Sequence, residues 1–292
     1  MDLTRVPFGF DLQSGRLVDV ASVPRGLKCG CVCPSCKIPL VARHGDINEW
    51  HFAHASRNDQ SRVERECDFS FYVSVRMMAR QMIGRDLTLA LPALGGAVEA
   101  QIGYEGPMRV DFRVTEARSI TLTDVLVDQN FSGVTVDVVG RVGDYVFVLY
   151  FVHPERQVPT ALRSPSDARS GVVAISLEPL SSLFREARRG NRSYEDVLRE
   201  YLHQNIASKT WVYHPLYRSR QAEAQAALDE RIRNAESESR FRPASPVRGQ
   251  SARFECALCA AVWQGIEPTD RDCPRCQTHL YTRVLPLLKA DP

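Results

Sequence analysis

Soft metal ligands set in close pairs near both ends of the chain constrain its fold more than any other feature. In "CVCPSCKIPLVARHGDINEWHFAHA", residues 31 to 55, Cys33 and Cys36 are separated by two residues, and fourteen residues later His51 and His54 repeat that spacing. A two-residue spacer lets both members of a pair point into one small knuckle. Two thiolates and two imidazoles then make the donor set of a tetrahedral structural zinc site. Cys29 and Cys31 lie next door and either can replace a histidine, so the ligand set is open at this point. His-x-x-His is shorter than the three-to-five spacer of helical fingers, which points to a knuckle and turn and not to a DNA-reading finger. Near the C-terminus, "CALCAAVWQGIEPTDRDCPRC" sets Cys256 and Cys259 thirteen residues ahead of Cys273 and Cys276. This is zinc-ribbon spacing, and a segment of about thirty-five residues needs the metal to supply its folding free energy. Four protein ligands close each ion and no base stands nearby, so both sites are read as structural. They use six of the nine cysteines, leaving Cys29, Cys31 and Cys67.

The bulk numbers describe an ordinary globular chain. Of 292 residues, 44% are hydrophobic and 25% charged, with a net charge of +2, which excludes general disorder and does not by itself point to nucleic acid. Arg outnumbers Lys 33 to 4, a bias that suits bidentate phosphate contacts and that a GC-rich genome also produces. The opening "MDLTRVPFGFDLQ" is too polar for a secretory h-region, and the longest apolar run, "YVFVLYFV" (145–152), is far short of the roughly 20 residues of a membrane helix. The expectation is a cytoplasmic, reducing setting with no membrane association, in which cysteines serve metals and not disulfides.

Between the two cysteine-rich ends, periodicity predicts an α/β or α+β core with a mixed sheet. "ECDFSFYVSVRMMARQMIGRD" places Phe69, Tyr72, Val73, Ala79, Met82 and Ile83 at helical intervals, with Met77 and Met78 as packing residues. From 86 to 152 the texture is β: "DLTLALP", "AVEAQIG", "MRVDFRV", "SITLTDVL", "GVTVDVVG" and "YVFVLYFV", the last two joined by a hairpin turn at "RVGD". "GVVAISL" is a further strand. "SYEDVLREYLHQNIAS" is a helix with Ser193 as N-cap and a stripe of Tyr194, Val197, Leu198, Tyr201, Leu202 and Ile206. The expected organisation is a zinc-knuckle module at 1–65, an α/β domain at 66–216, a polar helix and linker at 217–252, and the ribbon at 253–292. Within 218–253 eight arginines face five acids, which suits either a solvated tether or nonspecific phosphate contacts.

The N-terminal pattern resembles the competence proteins of the CoiA family. The residues that carry the likeness are Cys33, Pro34, Cys36, Gly45, His51, Phe52, Ala53 and His54, with looser support from "VTVDVVGRVGDYVFVLYFVH", "VVAISLEPL" and "KTWVYHP". The likeness spans roughly residues 15 to 215, and the ribbon looks like an added module. It implies a restriction-endonuclease-like PD-(D/E)xK core flanked by two small zinc modules, holding two zinc ions and handling DNA. Hydrolysis in such folds needs Mg²⁺ or Mn²⁺ held by carboxylates, one at the start of a hairpin and another on its second strand. Asp137 fits the first position, and Asp128 is a candidate additional acid.

The second strand departs from that pattern. The acidic position falls at about Val148 and its partner at Tyr150, and Tyr145–Val152 contains neither carboxylate nor Lys. Hard cations want several oxygen ligands, so Asp137 alone holds none well. Asp144 in the turn and Glu155 beyond the strand reach that place only with a register shift, Asp111 is a rival acid with no better partners, and His153 either serves a rearranged site or simply ends the strand before Pro154. The expectation is a degenerate nuclease site on a DNA-associated protein. The alternatives are an active Mg²⁺-dependent nuclease using Asp128, Asp137 and Glu155, and a zinc-scaffolded adaptor whose ribbon recruits a protein partner.

Overall fold

The structure is a computed structural model that describes residues 5–45, 49–55, 70–102, 106–189, 192–241 and 249–285. Phe69 and Cys67 lie outside the described residues. The chain divides into two compact units, Met1–Glu230 and Arg231–Pro292.

The first unit opens with small strands: β1 (Phe8–Asp11), β2 (Arg16–Asp19), β3 (Cys31–Val32), β4 (Leu40–Arg43) and β5 (His51–His54). The order β2-β1-β3 makes one three-stranded sheet, and β4 and β5 make an antiparallel hairpin beside it. Then come α1 (Phe71–Met82), β6 (Leu87–Leu91), β7 (Leu94–Ile102), β8 (Gly106–Thr115), β9 (Arg118–Phe131), β10 (Val134–Val142), β11 (Tyr145–Val152), β12 (Ser170–Ser176), α2 (Leu180–Arg189), α3 (Tyr194–Gln204) and β13 (Lys209–Tyr213). Among the described residues the main sheet has six strands in the order β13-β12-β11-β10-β9-β6. β9, β10 and β11 form an antiparallel meander, and β12 lies parallel to β11, so the sheet is mixed as expected. Among the described residues β7 and β8 pair with each other alone, as a long two-stranded ribbon.

Alternation along β11 sorts its residues onto the two faces. Phe147, Leu149 and Phe151 point into the larger core, with Val75, Met78 and Ala79 of α1, Leu198 and Tyr201 of α3, and Phe8, Leu40 and Phe52 of the N-terminal strands. Val148 and Tyr150 point to the other face, where Val136, Val172 and Leu162 complete a smaller cluster. The N-terminal strands thus share one continuous core with α1 and α3. Phe184 joins them through edge contacts with Phe8 and Phe71 and by stacking 4.7 Å from Tyr194. Asp19, 3% exposed, fastens the same junction: its carboxylate accepts from Ala21 N–H (2.8 Å), Tyr194 N–H (2.6 Å) and Glu195 N–H (3.0 Å). Burial raises its pKa above the usual aspartate value, against the lowering by those three donors.

The two helices expected in the core form, each with a serine at its N-terminus. Ser70 caps α1 and Ser193 caps α3, each hydroxyl accepting a backbone N–H three residues on. The α3 stripe is buried through Leu202 but not at Ile206, which is 39% exposed because the helix ends at Gln204. On α1 the buried face runs through Tyr72, Val75, Met78 and Ala79, with Val73 and Met82 only partly covered.

Helix α4 (Tyr217–Phe241) leads out of the first unit. In the second, β14 (Gln250–Cys256), β15 (Val262–Glu267) and β16 (Thr282–Leu285) form an antiparallel sheet in the order β15-β14-β16. No helix among the described residues is long and apolar enough to cross a membrane.

Candidate metal centres and the arginine-clamped hairpin

Three Cys-x-x-Cys turns in this chain have one geometry. In the first, Lys37 N–H donates to Cys33 O (2.9 Å) and Cys33 N–H to Ile38 O (2.9 Å). In the second, Ala260 N–H reaches Cys256 O (2.8 Å) and Cys256 N–H reaches Ala261 O (2.9 Å). In the third, Gln277 N–H reaches Cys273 O (2.8 Å) and Cys273 N–H reaches Thr278 O (3.1 Å). The residue after each second cysteine is left-handed: Lys37 at φ 62°, Ala260 at 55° and Gln277 at 51°. Non-glycine residues adopt that conformation rarely, and here the backbone reverses tightly enough to aim both sulfurs into one space.

In the second unit two such knuckles face each other, and the Sγ atoms of Cys256, Cys259, Cys273 and Cys276 lie within 4.8 Å of one another. Two of them are buried, and the Cys259 and Cys273 sulfurs are 3.5 Å apart. This donor set fits a closed tetrahedral zinc ion. Mutual hydrogen bonding and burial push the Cys276 thiol up to about 12, while backbone N–H donors draw Cys273 down to about 7.

In the first unit the gathered donors are Cys33, Cys36 and His54, again within 4.8 Å, with His54 Nε2 3.3 Å from Cys36 Sγ. The set fits zinc as three of its ligands. The hairpin brings them together: the register Leu40↔His54 sets the histidine beside the knuckle. His51 is not part of this group. Three residues along a strand reverse the side-chain direction, so His51 faces away from His54, and its Nδ1 lies 2.8 Å from Glu49 O. Neither Cys29 nor Cys31 joins the group; their thiols donate to Leu40 O (3.2 Å) and Cys29 O (3.3 Å). Burial and the neighbouring Cys29 raise the Cys31 thiol to about 12, which keeps it protonated.

The candidate acids of the hairpin stand in a different environment. The pairs Val136↔Gln129 and Val138↔Val127 put Asp128 opposite Asp137 on neighbouring strands, with Asp128 at φ 55°. On the other side, the β10–β11 register runs no further than Val138↔Leu149, and there the Asp137 side chain takes over from the backbone, accepting from Phe151 N–H at 2.7 Å. The carboxylate is fully buried and three guanidinium groups close on it. Arg76 Nε (2.6 Å) and Arg80 Nε (2.9 Å), one turn apart on α1, donate to Oδ1, and Arg156 Nη1 (2.6 Å) donates to Oδ2. Arg80 Nη2 also bridges to Asp128 Oδ1 at 2.6 Å. Arg156 arrives from the turn that follows β11, where His153 and Arg156 bond through their backbones, and it also donates to Phe151 O. Its guanidinium carbon lies 3.6 Å from the Tyr150 ring centroid, a cation–π distance.

Asp137 and Asp128 are thus brought together, with an arginine between them. Val148 and Tyr150, at the expected positions of the missing acid and its partner, are buried in the smaller core. Asp111 sits on the β7–β8 ribbon, 72% exposed and paired with Arg109, and Glu155 is exposed in the turn. His153 stacks flat on Tyr72 at 5.2 Å, and desolvation lowers its pKa. Arg76, Arg80 and Arg156 escaped the sequence analysis. The available signal was two arginines four apart on α1, beside the apolar stripe.

The class these features define is a mixed α/β protein with two cysteine-rich groups able to hold zinc. A family profile described as the N-terminal domain of competence protein CoiA matches residues 26–61, the span of the first knuckle and the β4–β5 hairpin. The match supports a competence-related chain similar to CoiA over that segment. No curated protein and no solved structure matches the chain significantly.

Proposed function

We propose that this chain is a CoiA-like, DNA-associated protein whose nuclease-type hairpin binds no catalytic metal and cuts no DNA, and whose two cysteine-rich groups are structural zinc sites. The observation that carries this reading is the state of Asp137, whose two oxygens accept four donors, three of them guanidinium nitrogens. A divalent cation placed there meets three positive charges and finds no vacant lone pair of the kind a hard cation needs. Nucleic-acid contact is supported by arginines exposed on α4, such as Arg218, Arg220 and Arg231, and by the family likeness. Electrophoretic mobility shifts between about 50 and 200 mM salt test it: affinity should fall steeply as counterion release weakens. Binding that ignores salt, or DNA cleaved in Mg²⁺ or Mn²⁺, would contradict the proposal.

One observation favours an active metal nuclease instead, since Asp128 stands opposite Asp137. In that reading a cation displaces Arg80 from between the two carboxylates, and cleavage is lost in Asp128→Asn. The ribbon supports a separate role in binding a protein partner. It exposes Leu258, Leu280 and Tyr281 at 65%, 76% and 52%, a set of large apolar side chains on a small module. Truncation before residue 250 should remove such a partner while DNA binding persists.

A further inference from the structure

Where β10 and β11 part, three guanidinium groups meet one buried carboxylate, and the charges do not balance. Arg76, Arg80 and Arg156 have side chains only 22%, 14% and 15% exposed, so water disperses little of their charge. Against them stand Asp137 and, at the rim, Asp128, which is 53% exposed and paired with Arg80 at 2.6 Å, so the three guanidinium groups exceed the two carboxylates by one charge. Desolvated charge without a counter-ion is costly, and proteins leave such an excess where an anion binds.

Unused donors lie in the same place. Among the described residues, the Nη groups of Arg76 make no hydrogen bond. Arg80 Nη2 is ion-paired with Asp128 and Asp137 at 2.6 and 2.9 Å, yet it is buried and makes no hydrogen bond. His153, 7% exposed, keeps its Nδ1 buried and without a hydrogen bond, while the charges of Glu155, Arg156, Arg76 and Asp137 all bear on its ring.

We propose that this cluster is a receptor for a phosphomonoester at the end of a nucleic-acid strand, with Asp137 holding the arginines in position and not touching the ligand. The assignment rests on the DNA-binding reading above. A phosphomonoester at a strand end offers three terminal oxygens to these donors and carries close to two negative charges near neutral pH, where an internal phosphodiester offers two oxygens and one charge. Its oxygens suit the forked guanidinium donors, and His153 supplies a further contact through Nδ1.

The test uses the full chain and internally labelled oligonucleotides that differ only at their ends: 5′-phosphate, 3′-phosphate or hydroxyl at both. Fluorescence anisotropy should give an affinity about tenfold or more higher for a phosphorylated strand. Arg156→Gln should remove the difference, and Arg76→Lys, which keeps charge without the fork, should shrink it; thermal melts of both variants establish that they fold. Equal wild-type affinities for all three strands would overturn the inference and leave the DNA-binding reading standing. No binding of any strand would overturn both. A nucleoside monophosphate that competes as strongly as the phosphorylated strand would overturn the strand-end assignment, and so would a preference undiminished in both variants.

Discussion

Asp137 shows how much a single residue's role depends on its neighbours. A buried aspartate on a hairpin strand reads as a metal ligand until the three arginines around it are counted, and then it is their counter-ion. Removing one member of a buried charge network leaves the others uncompensated, so Asp137→Ala should destabilise the fold by about 3–5 kcal/mol in thermal or denaturant unfolding. A loss of about 1 kcal/mol or less would mean that the arginines are well solvated without it. Lys209 gives a pH-dependent counterpart. It is 4% exposed, donates to Asn205 O at 2.7 Å, and burial lowers its pKa from 10.5 to about 8. Between pH 8 and 10.5 the unfolded chain holds a proton on this amine that the folded chain has released, so the contribution to stability is present above 10.5 and is lost as pH falls to 8. Lys209→Met should therefore gain on the order of 2–3 kcal/mol at pH 7 relative to wild type, with the gain vanishing toward pH 10.5. A difference that does not change with pH would contradict this.

At the scale of elements, local chemistry decided some pieces outright and others not at all. Ser193 announces its helix because a hydroxyl capping an N–H three residues on is a purely local interaction, and Ser70 caps α1 in the same way although the spacing of its apolar residues was the signal there. The three knuckles were equally legible as cysteine spacing, whereas their left-handed turn residues were not, since Lys, Ala and Gln carry no sign of it. Glycine at Lys37, Ala260 or Gln277 should relieve that strain and raise stability by about 0.5–1 kcal/mol each, read as a shift in the unfolding midpoint. His51 illustrates the opposite case. Its spacing from His54 matches a helical or looped ligand pair, but a strand's two-residue period sends the two rings to opposite faces. Asp19 is the element-level tie that no short pattern reveals, because its partners Tyr194 and Glu195 are about 175 residues away. Asp19→Ala leaves those helix N–H groups buried and unpaired, and should cost about 1–3 kcal/mol and loosen the N-terminal strands in hydrogen exchange.

For the whole molecule, the mixed sheet followed from alternation and turn residues, and the cysteine-rich ends from cysteine spacing. What sequence could not supply was the meeting of α1 with the β10–β11 edge. Arg76, Arg80 and Arg156 come from two separated segments, and only the packing of α1 on the sheet through Val75, Met78 and Ala79 brings them to one carboxylate. That meeting gathers three guanidinium groups around one buried carboxylate at the edge of the β10–β11 hairpin. The measurement that tests this most directly is a calorimetric titration of Mn²⁺ into zinc-saturated protein, with Asp137→Asn and Asp128→Asn run beside the wild type. The account expects no stoichiometric Mn²⁺ site in the wild type and no change in either variant. A site of one Mn²⁺ per chain that disappears with either aspartate would contradict it, and would make the hairpin a working metal centre.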